Sequence, residues 1–167
     1  MFKTWCKQNR YNNNIELSHV LMDGGVLSVP FDKLDDFYEV YIRDVIAGEK
    51  LYVVEQKTEP FNFFVDLDYK DTDPLTLDQI ESIVKIICDK VETFSENSTA
   101  LICIAKPKEK DGQIKSGVHI NFSNFTIDCE NANYLMKHII SILSKIYSQK
   151  DWNIIIDSSV YGDPKKN

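Results

Sequence analysis

The four cysteines, Cys6, Cys88, Cys103 and Cys129, form no C-x-x-C pair, so neither a zinc site nor thioredoxin-type redox chemistry is indicated. Long hydrophobic runs are absent too: no stretch of about 18 apolar residues exists to span a membrane. The opening Met1-Phe2-Lys3-Thr4-Trp5 lacks the apolar core of a secretory leader. Positive charge is in short supply, with 19 Lys and Arg against 26 Asp and Glu and a net charge of −7. That balance argues against a module that coats nucleic acid with basic residues. It leaves room for an enzyme that holds metal and meets nucleic acid along a local basic strip. There is no internal repeat and no low-complexity tract. What remains is ordinary globular material, 43% hydrophobic and 27% charged. A chain of this length makes one domain, or two small modules sharing a core, and buries about two-thirds of its unfolded surface. Three of the cysteines lie in apolar contexts and read as reduced core thiols of a cytosol-type, reducing compartment.

The most informative stretch is Phe61-Asn62-Phe63-Phe64-Val65-Asp66-Leu67-Asp68. With period two, Phe61, Phe63, Val65 and Leu67 fall on one apolar face, while Asn62, Phe64, Asp66 and Asp68 fall on the other. Asp66 and Asp68 are then two strand steps apart, about 6–7 Å. At an effective dielectric of ~20 their charges repel by about 2–3 kcal/mol. Water at a strand end can answer such a pair; so can Mg²⁺ or Mn²⁺, which take carboxylate oxygens.

Along the chain, Met1 to Asn14 is polar and reads as a loop or adaptable arm. Two short apolar runs around Asp23-Gly24-Gly25 predict a hairpin. A helix is expected from about Asp32 to Ala47 with Leu34, Phe37, Tyr41 and Val45 as its stripe and Gly48 as its stop. Leu51 to Val54 is a short strand, and a polar turn through Gln56 to Pro60 follows. Thr76 and Gln79 have capping-box spacing and start a helix to about Thr93, with Leu77, Ile80, Ile83, Val84, Ile87 and Val91 on its apolar face. Leu101 to Ala105 reads as a buried strand, Lys106 to Lys115 as a polar connection, and Gly117 to Ser123 as an alternating strand. Asp128 caps a last long helix, about Glu130 to Tyr147, with a stripe of Leu135, Ile139, Ile142, Leu143 and Ile146. Trp152 to Asp157 is expected to form a final strand.

Counted from Phe61, this order is β-α-β-β-α-β, the split unit of ferredoxin-like and RNA-recognition folds. Its usual sheet order, four-one-three-two, puts the Asp66/Asp68 strand centrally, between the His119 and Asp157 strands, with both helices on the apolar face. Asp66, Asp68 and His119 then share the open face; Asp157 joins them only if its strand runs past it. Carboxylates and an imidazole gathered there suit phosphoryl or nucleotidyl transfer, in which metals clamp the attacking and leaving oxygens. Protonated His119 can donate to a triphosphate oxygen. Each residue alone has a plainer reading: a hydrogen-bonding strand histidine, a turn aspartate, solvated lysines diluted by Glu109 and Asp111.

Asp66-Leu67-Asp68, Gly117-Val118-His119 and Ile156-Asp157, in that order, resemble the three motifs of the archaeo-eukaryotic primase superfamily. The flanks Ser18-His19 before Asp23-Gly24-Gly25, Lys115-Ser116 before Gly117, and Ser158-Ser159-Val160-Tyr161 after Asp157 resemble the primase portion of primase–helicase proteins of nucleocytoplasmic large DNA viruses. The resemblance implies an α+β, primase-like fold over 1–167, truncated at the C-terminus, with an amino-terminal α/β module (1–58) packed beside an RNA-recognition-like catalytic module (59–167) and a groove between them. It implies primer synthesis on a DNA template from nucleoside triphosphates by a nucleotidyltransferase. Asp66, Asp68 and Asp157 would hold Mg²⁺ or Mn²⁺ as a two-metal site, and His119 would bind the incoming triphosphate. Lys115, Lys106 and Ser116 would be nucleotide contacts. It also implies a C-terminal helicase domain in the full-length protein, no membrane partner and, if the source is viral, a place in the host cytoplasm or nucleus. The residues by themselves also admit a non-catalytic RNA-recognition-type binding module, or a palm-like metal-dependent nuclease or cyclase.

Overall fold

A computed structural model of the chain describes residues 1–13, 15–56 and 60–161. Lys57, Thr58 and Glu59, the middle of the expected polar turn, lie outside them, as do Asn14 and residues 162–167. The chain divides into two compact units, Met1–Thr58 and Glu59–Asn167. Each combines helices with an antiparallel sheet.

In the first unit the expected amino-terminal loop is a helix, α1 (Phe2–Gln8). Phe2 and Cys6 are four apart and both buried, and Trp5 lies half-buried beside them. The Phe2 ring packs edge-on against Phe37 at 5.2 Å and Tyr41 at 5.6 Å. Three apolar residues at helical spacing in a polar stretch were enough to make it fold. The hairpin forms as β1 (His19–Leu21) and β2 (Val26–Leu27), with Gly24 and Gly25 at φ of 106° and 120°, a region that favours glycine. A 3₁₀ turn, Phe31–Lys33, leads into α2 (Leu34–Ile46), and β3 (Val53–Glu55) completes a sheet of order β2-β1-β3. Helix α2 buries Phe37, Val40 and Asp44, whereas Val45 of the expected stripe is exposed. Asp44 can be buried because it accepts the Phe2 backbone N–H, a partner that exists only when α1 forms.

The second unit is built on two long strands, β4 (Phe61–Asp71) and β7 (Gln113–Ile127), with α3 (Leu77–Glu92), β5 (Ala100–Ile104) and β6 (Lys108–Lys110) between them in the chain. The sheet order is β4-β7-β5, with β6 also paired to β7. The apolar rows alternate as the sequence requires: Phe61, Phe63, Val65 and Leu67 of β4 and Val118, Ile120 and Phe122 of β7 are buried. They are covered by Ile80, Ile83, Val84, Ile87 and Val91 of α3 and by Leu135, Ile139 and Leu143 of α4 (Cys129–Ile146). Each such side chain is worth roughly 1.5–3 kcal/mol when fully buried. The Thr76–Gln79 capping box is present, and the Asp128 side chain accepts from the Asn131 N–H. Leu77 and Ile146, expected on the buried stripes, are exposed at the ends of their helices.

Four other expectations are corrected. The segment read as a polar connection contains β6 and the first residues of β7, joined through Asp111-Gly112. Strand β7 runs past Ser123, where a bulge opposite the Asn62/Phe64 step breaks the alternation that made its first half legible. Strand β5 lies at a sheet edge, and Leu101, Ile102 and Ile104 are exposed, as is Cys103, so only Cys6 and Cys129 are fully buried thiols. The final strand is not one. Residues 152–155 form a helical turn, α5 (Trp152–Ile155), capped by Asp151, because Trp152 and Ile155 are buried at i, i+3 spacing while Ile154 faces solvent. Where a fourth strand is expected, the described residues form one antiparallel bridge, Leu67 with Ile156, followed by a 3₁₀ turn, Ser158–Tyr161.

Candidate active site

The open face of the β4–β7 pair carries the residues singled out from the sequence. Register places Asp66 opposite His119, Asp68 opposite Gly117, and Lys70 opposite Lys115. The Asp66 carbonyl accepts from the Asp157 N–H at 3.2 Å, so it is turned away from β7. Asp66 and His119 are therefore a pair of the non-hydrogen-bonded kind, in which opposed side chains approach most closely. His119 Nδ1 stands 3.1 Å from Asp66 Oδ1. Two residues along, diagonal to Asp68, Lys115 Nζ donates to Asp68 Oδ2 at 2.7 Å. Gly117 keeps the space between these two contacts clear of side chain.

Asp157 reaches this place without a strand, because its own N–H binds the strand that carries Asp66. Its charge is felt there. Burial pushes the Asp66 carboxyl above its ordinary range; His119 opposes the rise, Asp68 and Asp157 add to it, and Lys115 opposes it. Asp66 Oδ1 is itself buried and makes no hydrogen bond to a described residue, because the imidazole beside it is at contact distance but not aligned. A buried carboxylate oxygen in that state is costly unless a cation completes it.

Not every expectation is met. Ser116 is on the opposite face, buried against the helices, where its Oγ accepts the Leu75 N–H at 3.1 Å; the structure does not bring it to the acids. Lys106 is exposed just beyond β5, next to Ala105, whose N–H binds the Gly117 carbonyl. Among the described residues no three His, Cys, Asp or Glu side chains are gathered closely enough to hold one ion. Lys115 and His119 answer Asp68 and Asp66 instead. The donor set still suits a hard divalent cation: carboxylate oxygens from neighbouring strand positions, one of them buried without a hydrogen bond. Sequence reasoning gave Tyr161 no role. Its ring is fully buried against Phe61 and Phe63, and its hydroxyl donates to the Phe64 carbonyl on the strand of the acids. The run of phenylalanines at 61, 63 and 64 was the available signal that this strand needs an aromatic partner.

Acids, an imidazole and a lysine on one sheet face suit phosphoryl or nucleotidyl transfer. The model of the C962R protein N-terminal AEP domain matches residues 18–165, and the chain belongs to that family of archaeo-eukaryotic primase domains. The family is generally one of nucleotidyltransferase-type primases, acting on nucleotides and DNA and typically dependent on a divalent metal. Comparison with curated proteins returned no match. Among the described residues no helix is long and apolar enough to cross a membrane.

Proposed function

We propose that residues 59–167 carry the catalytic site of a DNA-directed primase or primase–polymerase, which joins nucleoside triphosphates on a DNA template and works as part of a viral primase–helicase. The reading takes the unit as an RNA-recognition-like β-α-β-β-α-β fold whose fourth strand has shrunk to the Ile156 bridge, with residues 1–58 as its companion module. The observation that carries it is the cross-strand Asp66–His119 pair, with Asp68 two residues along the same strand and the Asp157 N–H bound to the Asp66 carbonyl.

Asp66, Asp68 and Asp157 would hold Mg²⁺ or Mn²⁺. When bound, the divalent ions neutralise charge on the attacking and leaving oxygens of an in-line displacement. With Nδ1 turned towards Asp66 Oδ1 at 3.1 Å, His119 presents Nε2 on an imidazole that is 55% exposed, able to donate to a phosphate oxygen. Lys115, which must leave Asp68 for a dication to enter, is then placed to meet the same phosphates, and Lys106 lies further out as a template or phosphate contact. A binding module of the RNA-recognition type would show stacking aromatics here. Phe64, the aromatic that β4 offers to this face, is instead half-buried, with its ring 5.4 Å from that of Tyr161. The four cysteines form no disulfide, which suits a reducing host compartment.

The test is the full chain with single-stranded DNA and labelled nucleotides. Asp66→Asn combined with Asp68→Asn should abolish oligonucleotide synthesis and bound Mn²⁺ together. Normal synthesis by the double variant would refute the reading. Cleaved DNA or cyclic nucleotide in place of oligomers would move the site to a nuclease or cyclase.

A further inference from the structure

Asp157 is the one acid of the three that no regular strand holds. Its side chain is exposed, the helical turn α5 precedes it, and a single residue before it bridges to β4. Something must fix its approach to Asp66 within the few tenths of an ångström that a metal or phosphate site requires.

The outer edge of β4 shows what does so. In a strand, residues two apart turn their carbonyls to the same side, so the carbonyls of Phe64 and Asp66 both face away from β7. A full fourth strand would satisfy both with backbone N–H groups. Here the Asp157 N–H takes Asp66, and the Tyr161 hydroxyl takes Phe64. The phenol thus replaces a missing strand donor, and the segment is pinned to one edge at two points, at Asp157 itself and four residues after it.

The pin at Tyr161 is rigid. Its ring lies nearly parallel to Phe61 and Phe63, at 6.1 Å and 5.8 Å, and is fully buried. The Cys129 thiol donates to the Tyr161 carbonyl at 2.9 Å, tying the same residue to the first turn of α4. Burial keeps the phenol protonated far above neutral pH, with the charges of Asp66 and Asp157 adding to the effect, so it is a donor at every working pH.

We infer that Tyr161 is a positioning residue for the site: its hydroxyl, bound to the Phe64 carbonyl, sets where Asp157 stands relative to Asp66. The inference rests on the reading of these acids as the metal-holding group. It assigns Tyr161 no contact with substrate or metal.

Tyr161→Phe keeps the stacked ring and removes only the hydroxyl. In the full chain, Mn²⁺ binding followed by electron paramagnetic resonance should weaken about threefold to tenfold, the range that loss of one hydrogen bond supports. The metal concentration giving half-maximal synthesis should rise by the same factor. The nucleotide KM at saturating metal should stay within about twofold, because His119 and Lys115 are untouched. A purely structural role would instead lower the melting temperature and leave the metal affinity of the folded fraction unchanged. That result, or wild-type metal affinity in a stable Tyr161→Phe protein, overturns the inference. Should the Phe variant not fold, Cys129→Ala loosens the same residue from its other side and should shift metal affinity in the same direction by a smaller factor; no shift there also overturns it. The Asp66→Asn, Asp68→Asn protein separates the two claims. If it still binds Mn²⁺, the metal-site reading fails; if it does not, while Tyr161→Phe binds normally, only the positioning role fails.

Discussion

Two aspartates on β4, five residues apart, have opposite fates. Asp71 is fully answered: Lys150 Nζ donates to it at 2.5 Å, the Thr72 N–H at 2.8 Å and the Tyr69 hydroxyl at 3.1 Å. Those contacts, led by Lys150, pull its pKa down to about 2. Asp66 is pushed the other way by burial, and one of its oxygens has no hydrogen bond to a described residue. A carboxylate that the fold satisfies is holding the fold together. One that is half-buried, with an oxygen that no described residue hydrogen-bonds, is open to another role. The strand thus carries a structural acid at one end and a strained group in its middle, at the residues the primase motif marks.

The strongest way to break this contrast is to add a divalent cation. Mn²⁺ at about 100 times its Kd should stabilise the wild-type chain by about 2.7 kcal/mol, whereas the Asp66→Asn, Asp68→Asn protein should show no metal-dependent rise in melting temperature. Synthesis by that protein should fall by a factor on the order of 1000 or more. A metal response that survives both substitutions would place the ion elsewhere and make Asp66 a badly satisfied structural acid.

Lys115 sharpens the comparison next. At Asp71 the lysine is a permanent partner; at Asp68 it occupies an oxygen that a dication would need. Both members of the Lys115–Asp68 pair are about one-third exposed, so its worth to stability is only about 0–1 kcal/mol. Lys115→Met should therefore leave the melting temperature nearly unchanged. Mn²⁺ affinity should rise about threefold, because a competitor has gone, while the nucleotide KM rises on the order of tenfold as a phosphate contact is lost. Titration calorimetry with metal alone and then with nucleotide reads the two effects separately. Weaker binding of both would mean that Lys115 only orients Asp68.

Much of this was legible in the sequence wherever a period was unbroken. Period two in 61–68 and 117–122 gave both faces of the central pair, and with them the Asp66–His119 juxtaposition. Thr76, Gln79 and Asp128 gave the helix starts through capping chemistry. The failures lie where a tertiary partner overrode the local pattern. Trp152 turned an expected strand into a helical turn by burying its indole with Ile155. Phe2 and Cys6 made a helix of a polar arm once Phe37 and Tyr41 were there to receive them. Ser116 shared a sequence neighbourhood with the site residues but not a face, since one residue along a strand reverses direction. The Lys115–Asp68 and His119–Asp66 contacts depend on register and rotamer together, which no one-dimensional pattern contains.

Acidity separates the two aspartates by sign. Asp66 has a raised folded pKa, so the stability linked to it is present below the unfolded value of about 3.9 and lost as pH rises through the folded value. Asp66→Asn should then melt higher than wild type at neutral pH, and the gain should vanish in acid. Asp71 has a depressed folded pKa, so its contribution is present above about 3.9 and lost as pH falls through about 2. Asp71→Asn should melt lower at neutral pH and converge on wild type near pH 2. Shifts of a few degrees, measured from pH 2 to 7, suffice to test the opposed signs; like signs would mean that Asp66 is as well satisfied as Asp71.

The smallest effect belongs to Gly117, which faces Asp68 across the ladder. A methyl group built on it would meet the Ala105 Cβ at 3.6 Å, an ordinary contact, and its φ is not in the region reserved for glycine. The fold therefore does not require glycine here. Gly117→Ala should be neutral or stabilising by about 0.5 kcal/mol, since glycine in a strand costs conformational entropy. Any need for glycine must come from the open face, where that methyl would stand between the Lys115–Asp68 and His119–Asp66 contacts. One methyl leaves most of that gap open, so synthesis should change by less than about threefold. A loss of 100-fold or more in a protein of unchanged melting temperature would mean that the bound nucleotide fills the gap beside Asp68, and that the strained half of β4 is shaped by its substrate as closely as the Asp71 half is shaped by Lys150.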